Sequence, residues 1–398
     1  MRKSLASCRV SPGALAIVAA ALANVAVVCA REPSPLPDAA PAAAGMDAAR
    51  LAAIDAIVAE GIDRGEMPGA VVLVARGGVV VYLKAFGRRQ VEPTVESMTV
   101  DTVFDLASLT KPVATATSVM KLVEDESISL DDAVAEHIPE FAANGKAGVT
   151  VRQLLTHQGG LIADNALRDY LDGPEAAWER IHRLTLRAEP ETRFIYSDVG
   201  FIVLGELVER ISGQSVHEFS QQQIFEPLGM TETGYLPDQE LRRRAAPTEK
   251  RDGEWIRGSV HDPRAHHLGG VAGHAGLFST AADLAIYAQM LLGEGQYEGI
   301  RVLNPDTVEL MTAAHTLPAG GKRALGWDVR TGYSSNRGDL FSDRAFGHGG
   351  FTGTAMWIDP QFDLFYIFLS NRLHPDGKGS VNRLAGRIAT VAAAAIRD

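Results

Sequence analysis

The chain has 398 residues, of which 46% are hydrophobic and 22% are charged. This composition is typical of a globular protein with a large core, and it excludes disordered, collagen-like and coiled-coil proteins. Acidic residues outnumber basic ones by 49 to 38, so the formal net charge is −11. Because no segment supplies the basic stripe that a nucleic-acid-binding protein needs, we expect no nucleic-acid partner.

The first thirty residues have the pattern of a signal peptide. Basic residues precede an apolar run over residues 13–28, and Val28-Cys29-Ala30 offers the small-x-small pattern of a cleavage site. We predict that residues 1–30 are removed and that the protein is exported to the periplasm or secreted. Two alternatives remain open, an uncleaved membrane anchor and a lipid on Cys29, and either would make the membrane a partner.

The rest of the chain divides by composition and periodicity. Residues 31–45 are rich in proline and alanine and poor in large apolar side chains, so we predict a linker that does not pack. The folded domain is then expected to span residues 46–398. Strand patterns occur near both of its ends, within residues 70–86 and 354–369. Because neither group alone makes a stable sheet, we expect both to pair in one sheet.

Helical patterns dominate between these two groups of strands, from about residue 108 to residue 292. We therefore predict a sheet lobe from residues 46–107 and 320–398. A helical lobe over residues 108–319 would be inserted between the two parts.

The pattern S-x-x-K occurs twice, at Ser108–Lys111 and at Ser118–Lys121. Each copy places a hydroxyl and an amine one helical turn apart on a shared face. Ser108 follows a strand-like run and opens the helical pattern, where free N–H groups and the helix dipole favour a developing anion. Ser118 lies in the interior of that helix. We therefore predict Ser108 as a catalytic nucleophile, with a simple helix cap as the alternative.

A serine nucleophile needs a base, and a lysine can serve only if its surroundings depress its pKa. A second proton carrier makes this arrangement workable. Tyr196, in the sequence Tyr196-Ser197-Asp198, precedes a helical pattern that ends at Gly213, so it lies in a loop from which a side chain can be aimed. We predict Lys111 and Tyr196 as proton carriers, with a core tyrosine as the alternative for Tyr196.

Four glycines lie within residues 347–353, next to the C-terminal strands. Glycine lets another backbone or a substrate approach closely, and a strand-edge N–H can donate to an oxyanion. A glycine-rich turn without a function is the alternative. The sequence contains neither an H-E-x-x-H motif nor a P-loop, and we expect no cofactor.

Together, Ser108-x-x-Lys111, Tyr196-Ser197-Asp198 and His348-Gly349-Gly350 resemble the motifs of the serine β-lactamase and penicillin-binding-protein superfamily. The resemblance is greatest to its class C-like branch, with family VIII carboxylesterases, D-aminopeptidases and DD-peptidase-like proteins, and it runs from about residue 47 to the C-terminus. It implies an α/β fold, an α/β/α sandwich on a mainly antiparallel sheet with an inserted all-helical lobe.

The resemblance also implies roles for individual residues. Ser108 would attack a carbonyl and form an acyl-enzyme, while Lys111 and Tyr196 would remove and return the proton. The backbone N–H groups of Ser108 and Phe351 would form the oxyanion hole. The substrate would be a small ester, an amide or a cell-wall peptide. The residues assigned to substrate binding, on the resemblance and on position, are Asp198, His348, Gly349, Gly350 and Arg372.

Two departures from the family pattern affect the expected substrate. His348-Gly349-Gly350 replaces the usual K-T-G, which removes a permanent charge and a hydroxyl that bind a substrate carboxylate. Asp198 replaces the more common asparagine. Unless Arg372 restores a cation, we expect short-chain aryl esters to be hydrolysed in preference to a cephalosporin or a D-Ala-D-Ala peptide. A DD-peptidase or a β-lactamase is the alternative.

Two other functions stay open. A histidine-rich stretch of fourteen residues could ligate zinc through His261, Asp262, His266, His267 and His274. Its spacing matches no metal signature, so we predict no metal site. The other possibility is a non-catalytic module that binds cell-wall peptide, although all three motif positions carry groups suited to catalysis.

Overall fold

A computed structural model gives the structure of residues 34–397. The predicted signal peptide over residues 1–30, with its cleavage site and Cys29, lies outside the described residues. Within residues 34–397, no helix combines the length and the apolar character needed to cross a membrane.

The described residues form short and long strands together with helices. The strands are β1 (Gly69–Arg76), β2 (Val79–Gln90), β3 (Glu96–Ser97), β4 (Phe104–Asp105), β5 (Gly234–Tyr235), β6 (Lys250–Arg251), β7 (Glu254–Trp255), β8 (Leu277–Ser279), β9 (Gln296–Tyr297), β10 (Ile300–Arg301), β11 (His315–Thr316), β12 (Lys322–Arg323), β13 (Asp328–Arg330), β14 (Phe346–Gly350), β15 (Thr354–Asp359) and β16 (Leu364–Ser370). The α-helices are α1 (Ala48–Leu51), α2 (Ala53–Asp63), α3 (Thr117–Glu124), α4 (Val134–His137), α5 (Val151–Leu155), α6 (Pro174–His182), α7 (Asp198–Ser212), α8 (Val216–Ser220), α9 (Gln239–Arg244), α10 (Pro263–His267), α11 (Ala281–Leu292), α12 (Pro305–Thr312) and α13 (Asn382–Ala394).

The main sheet contains strands from both ends of the chain. Its order is β11-β12-β13-β14-β15-β16-β1-β2-β3, and neighbouring strands are antiparallel. The N-terminal β1 pairs with the C-terminal β16, from Ala70 opposite Ser370 to Arg76 opposite Leu364. The prediction that both groups of strands share one sheet is therefore confirmed.

Helices cover both faces of this sheet. Val71 and Leu73 of β1 pack into a core that includes residues of α3 and α11, whereas Ala70 and Val72 pack into a second core with residues of α2 and α13. Alternate residues of a strand point to opposite faces, so β1 contributes to both cores and is buried along almost its whole length. This is the α/β/α sandwich on a mainly antiparallel sheet.

The segment over residues 34–45 packs on the domain, so the prediction of an unpacked linker is wrong for this part. Leu36 is buried. The N–H of Ala39 donates to the carbonyl of Val80 (2.9 Å), and the N–H of Val80 donates to the carbonyl of Pro37 (2.9 Å). One leucine and backbone hydrogen bonds to β2 therefore hold a segment whose composition alone indicated a linker.

A small three-stranded sheet, in the order β4-β8-β5, pairs β4 with two strands from the part of the chain where helical patterns dominate. Its strands are two or three residues long, which is too short for a periodic pattern to show. This sheet fixes the start of the neighbouring helix, because β4 ends at Asp105, just before Ser108.

Candidate active site

A cavity of about 250 Å³ brings together residues that are far apart in the sequence. Of the predicted site residues, its lining includes Ser108, Tyr196, His348, Gly349, Gly350, Phe351 and Arg372. The lining also includes eight residues that the sequence did not single out: Arg323, Asp328, Tyr333, Asn336, Gly379, Ser380, Val381 and Asn382. Lys111 and Asp198 contact each other beside Ser108 without lining the cavity.

Ser108 lies in a short 3₁₀ turn that follows β4. The Asp105 carboxylate fixes this turn, because it accepts hydrogen bonds from the N–H groups of Ala107 (2.8 Å) and His261 (2.7 Å). Ala107 has a φ of 46°, a conformation that a residue with a side chain adopts only where its surroundings impose it. A π-helix starts at Lys111, so the lysine follows Ser108 by about one turn, as the motif predicts.

The ammonium group of Lys111 is fully buried among polar groups. Its Nζ donates to Oγ of Ser108 (2.9 Å) and to the carbonyl of His274 (3.1 Å), and it forms an ion pair with Oδ1 of Asp198 (2.6 Å). Asp198 is the first residue of α7, and its carboxylate faces the lysine instead of lining the cavity. The structure gives Asp198 a contact with Lys111, and its assignment to substrate binding stays a prediction.

Lys111 carries a positive charge in the resting protein. Burial lowers the pKa of Lys111, but the negative charge of Asp198 and the hydroxyl of Tyr196 raise it, and the net shift is upward. A neutral amine that could accept the proton of Ser108 arises only when a proton leaves Lys111. The Asp198 carboxylate is close enough to take it.

Replacing Asp198 with asparagine should move the Lys111-controlled limb of the kcat/KM pH profile to lower pH. The substitution keeps the size of the side chain but removes the charge that raises the pKa of Lys111, so the lysine loses its proton at a lower pH. Ester hydrolysis measured across the neutral and alkaline range checks this. Asp172→Asn is the control, because its exposed carboxylate pairs with Arg180 at the surface. Superimposable profiles for wild type and Asp198→Asn would contradict the prediction.

Tyr196 is held in place just before helix α7. Its ring centroid lies 4.5 Å from that of His157, and the N–H of Ser197 donates to Nδ1 of His157 (3.0 Å). Oγ of Ser197 caps α7 by accepting a hydrogen bond from the N–H of Gly200 (3.0 Å). His157 therefore positions Tyr196. Burial raises the pKa of Tyr196 more than the charge of Lys111 lowers it, so the hydroxyl keeps its proton at neutral pH.

The glycine-rich stretch forms β14 and the turn to β15. A Cβ on Gly349 would lie 2.4 Å from Nδ2 of Asn336, and one on Gly350 would lie 2.2 Å from the carbonyl oxygen of Leu106. Close packing against backbone therefore requires glycine at Gly350, whereas a side chain at Gly349 would require the Asn336 side chain to move. At Gly349, the amide of Asn336 fills the space that the threonine of the usual K-T-G would need.

His348 is buried on β14, and its Nδ1 lies 2.8 Å from the carbonyl oxygen of Gly349. Burial, followed by the positive charges of Arg323 and Lys111, holds the pKa of His348 well below its usual value. The imidazole is therefore uncharged at neutral pH. As expected from its residue type, His348 does not replace the permanent charge of the usual lysine.

Two arginines line the cavity. Arg372 lies with its guanidinium 4.6 Å from the centroid of the exposed Phe351 ring and donates to the carbonyl of Gly379 (3.0 Å). Arg323 is fully buried, 5.9 Å from the centroid of the Tyr196 ring. The expectation that esters are preferred applies to a site without a fixed cation, and two arginines line this cavity, so the preference stays a prediction. No pattern marks Arg323 in the sequence, because its strand β12 has only two residues.

The five candidate zinc ligands do not converge. Among the described residues, Asp262 and His274 are the two members of that set in a metal-sized cluster, and its third member is Asp198. Nζ of Lys111 lies 2.6 Å from Asp198, so a cation is already paired with this cluster. We therefore expect hydrolysis to survive dialysis against a chelator. A loss of activity that added zinc restores would contradict this.

Comparison with known proteins gives relatives of similar length. The sequence matches the family described as Beta-lactamase over residues 54–390. A protein of Escherichia coli (strain K12) named "Putative D-alanyl-D-alanine carboxypeptidase" is 32% identical over 394 residues, which cover 89% of this chain and 90% of that protein. A protein of Bacillus subtilis (strain 168) named "N-acetylmuramyl-L-alanine amidase" is 32% identical over 364 residues, which cover 82% of this chain and 81% of that protein.

A similar fold is found in a solved structure, that of a penicillin-binding protein homologue from Caulobacter crescentus. The TM-score is 0.70 at 23% identity, and the alignment covers 88% of this chain and 99% of that one. This similarity concerns the fold, whereas the family match extends over most of the sequence. The chain therefore belongs to the beta-lactamase family and is a serine hydrolase with the β-lactamase and penicillin-binding-protein fold.

Proposed function

We propose that the protein is an exported serine hydrolase that cleaves small esters or amides through an acyl-enzyme on Ser108. One observation carries this proposal: Oγ of Ser108 lies 2.9 Å from Nζ of the buried Lys111, at the wall of a cavity that Tyr196 also lines. A nucleophile, a proton acceptor and a second hydroxyl are thus within reach of one bound carbonyl.

The geometry supports a route for the protons of acylation. Lys111 first hands a proton across 2.6 Å to Asp198, and Ser108 then attacks the carbonyl carbon while its own proton passes to the neutral amine of Lys111. Tyr196 then gives its proton to the leaving alcohol or amine and is reprotonated by Lys111, which recovers a proton from Asp198. Lys111, Asp198 and Tyr196 end in their starting states, Ser108 carries the acyl group, and the leaving group has gained one proton. Water repeats these steps to release the acyl group.

The oxyanion hole is part of this proposal. The backbone N–H groups of Ser108 and Phe351 would donate to the carbonyl oxygen as it becomes negative. The positions of both residues support this, because both line the cavity, Ser108 in the turn after β4 and Phe351 just after β14.

We also propose that Ser108 lies where a sheet lobe (residues 46–107 and 320–398) meets a helical lobe (residues 108–319).

Cell-wall peptides are the second candidate substrates. The Escherichia coli relative carries the name "Putative D-alanyl-D-alanine carboxypeptidase" and the Bacillus subtilis relative the name "N-acetylmuramyl-L-alanine amidase", and each matches more than four-fifths of this chain. The same acyl-enzyme chemistry serves an amide, provided that the leaving amine receives a proton.

Hydrolysis of an aryl ester should begin with a burst of released phenol. A burst appears when acyl-enzyme forms faster than water removes it, and its amplitude should equal the concentration of active sites. Rapid-mixing measurements on the full chain test this. Steady release without a burst, together with failure to isolate acylated protein after acid quenching, would count against the acyl-enzyme.

Export is proposed from the first thirty residues. Protein purified from its native host should begin at Arg31, since cleavage is expected after Val28-Cys29-Ala30. N-terminal sequencing makes the measurement. An intact Met1 in the membrane fraction would favour the anchor, and a lipid-blocked Cys29 would favour a lipoprotein.

A further inference from the structure

Arg323 is a buried cation without a hydrogen-bonded partner. Its side chain is fully buried, and none of its three guanidinium nitrogens has a hydrogen-bond partner among the described residues. The closest carboxylate oxygen that pairs with it belongs to Asp328, at 3.9 Å, which is beyond hydrogen-bonding distance. The other oxygen of Asp328 accepts a hydrogen bond from Oγ of Ser334 (2.8 Å).

An isolated charge in a protein interior is costly unless hydrogen bonds or an opposite charge compensate it. The rings of Phe194 and Tyr196 lie 5.8 and 5.9 Å from the guanidinium and offer only weak cation–π attraction. Burial lowers the pKa of Arg323, because the charged form loses its hydration and gains no hydrogen bond in return. The five N–H groups of this side chain therefore have no hydrogen-bond acceptor among the described residues.

The guanidinium lines the same cavity as Ser108 and Tyr196. Asn336 lies in the same lining, and its Oδ1 already accepts a hydrogen bond from Nε1 of Trp357 (3.0 Å). This bond fixes the orientation of the amide, so that Nδ2, the donor end, faces the strand at Gly349. A forked cation and an amide donor thus belong to one cavity next to the predicted nucleophile.

We propose that Arg323, assisted by the amide of Asn336, binds a carboxylate of the substrate; this inference rests on the function proposed above. A planar guanidinium matches a carboxylate through two parallel hydrogen bonds, and a cavity that excludes water strengthens them. The carboxylate belongs either to the acyl part of the substrate or to its leaving group. Substrates with such a group are then preferred over neutral ones, the reverse of the preference expected from the sequence.

Arg372 is less suited to this role. Its guanidinium is stacked on the exposed ring of Phe351 and already donates to the carbonyl of Gly379. Arg372 therefore has a hydrogen-bonded partner without a ligand, whereas Arg323 has the ion pair with Asp328 but no hydrogen-bonded partner among the described residues.

Two matched substrate pairs test the proposal. The first pair is 4-nitrophenyl hydrogen succinate and its methyl ester, which differ in a carboxylate on the acyl side. The second pair is N-acetyl-D-Ala-D-Ala and its C-terminal amide, which differ on the leaving-group side. We expect wild type to prefer the acid by at least ~10-fold in kcat/KM in one pair, which also identifies the side. In Arg323→Gln this acid-to-neutral ratio should fall about tenfold, and Arg323→Lys should keep part of it.

Arg330→Gln is the matched control, because Arg330 lies on the neighbouring strand β13, is exposed and pairs with Asp343 (2.9 Å). Its acid-to-neutral ratio should equal that of wild type. Equal kcat/KM for acid and neutral members of both pairs in wild type, or an unchanged ratio in a folded Arg323→Gln, would overturn the proposal. Circular dichroism and thermal unfolding establish whether the variants are folded.

A measurement on wild type covers the case in which both Arg323 variants unfold. N-acetyl-D-alanine is compared with its neutral amide, and mono-methyl succinate with its neutral ester. In the pair that corresponds to the side on which the carboxylate binds, the acid should inhibit competitively at a lower concentration than the neutral compound. Equal inhibition by all four compounds would overturn the proposal. Failure of the underlying function looks different: wild type would hydrolyse none of the four substrates, or Ser108→Ala would hydrolyse them equally well.

Discussion

The Ser108→Ala variant should lose ~10⁴-fold or more in kcat, the scale found when the nucleophile of a serine hydrolase is removed. Its hydroxyl is the one that hydrogen-bonds to the buried Nζ of Lys111 and lines the cavity. Steady-state hydrolysis of an aryl ester by the purified full chain gives the measurement.

Ser118→Ala supplies the matched control from the second copy of S-x-x-K. Ser118 is fully buried in α3, and its Oγ has no hydrogen-bond partner among the described residues. Removing an unsatisfied hydroxyl costs little stability, so this variant should fold and keep the activity of wild type. Comparable activity of the Ser108 and Ser118 variants would end the assignment.

Loss of Lys111 or Tyr196 should reduce kcat/KM by ~10²–10⁴-fold, the usual effect of removing a positioned proton carrier. In Tyr196→Phe the ring still packs against His157 and only the hydroxyl is missing. In Lys111→Met a chain of similar length remains, but the Asp198 carboxylate loses its ion-pair partner.

Tyr170→Phe is the control for the tyrosine. This side chain is also buried, and its hydroxyl donates to Oδ1 of Asn165 (2.6 Å), away from the cavity lining. It should therefore lower the unfolding temperature without changing kcat/KM much. If Tyr196→Phe behaves in the same way, Tyr196 is a core residue and not a proton carrier.

The sequence reveals those parts of the fold and site that depend on local spacing. Strands β1 and β16 are buried on both faces, which produces the β-branched and apolar runs that predict them. Ser108 and Lys111 are one helical turn apart, so their contact follows from the motif alone.

Other parts depend on contacts between distant segments, and no local pattern encodes them. Asp198 meets Lys111 because α7 starts beside the π-helix, a placement that only the folded core determines. Arg323 reaches the cavity from a strand of two residues, which is too short to have a period. His157 contributes a ring and an acceptor whose partners lie about forty residues away.

The protonation state of Lys111 also cannot be predicted from the sequence. A lysine that acts as a base is expected to have a depressed pKa, yet the ion pair with Asp198 raises the pKa of Lys111. The net direction depends on burial and distance together, and residue types alone provide neither.

The central claim is that Ser108 forms the covalent intermediate, and trapping it is the most direct measurement. The full chain is incubated with a serine-reactive phosphonate, digested and mapped by mass spectrometry. We predict a single adduct, on the peptide that contains Ser108, in step with the loss of activity, and no adduct on the Ser108→Ala variant. Complete inactivation with the adduct on a different residue, or activity that survives full labelling of Ser108, would contradict the claim.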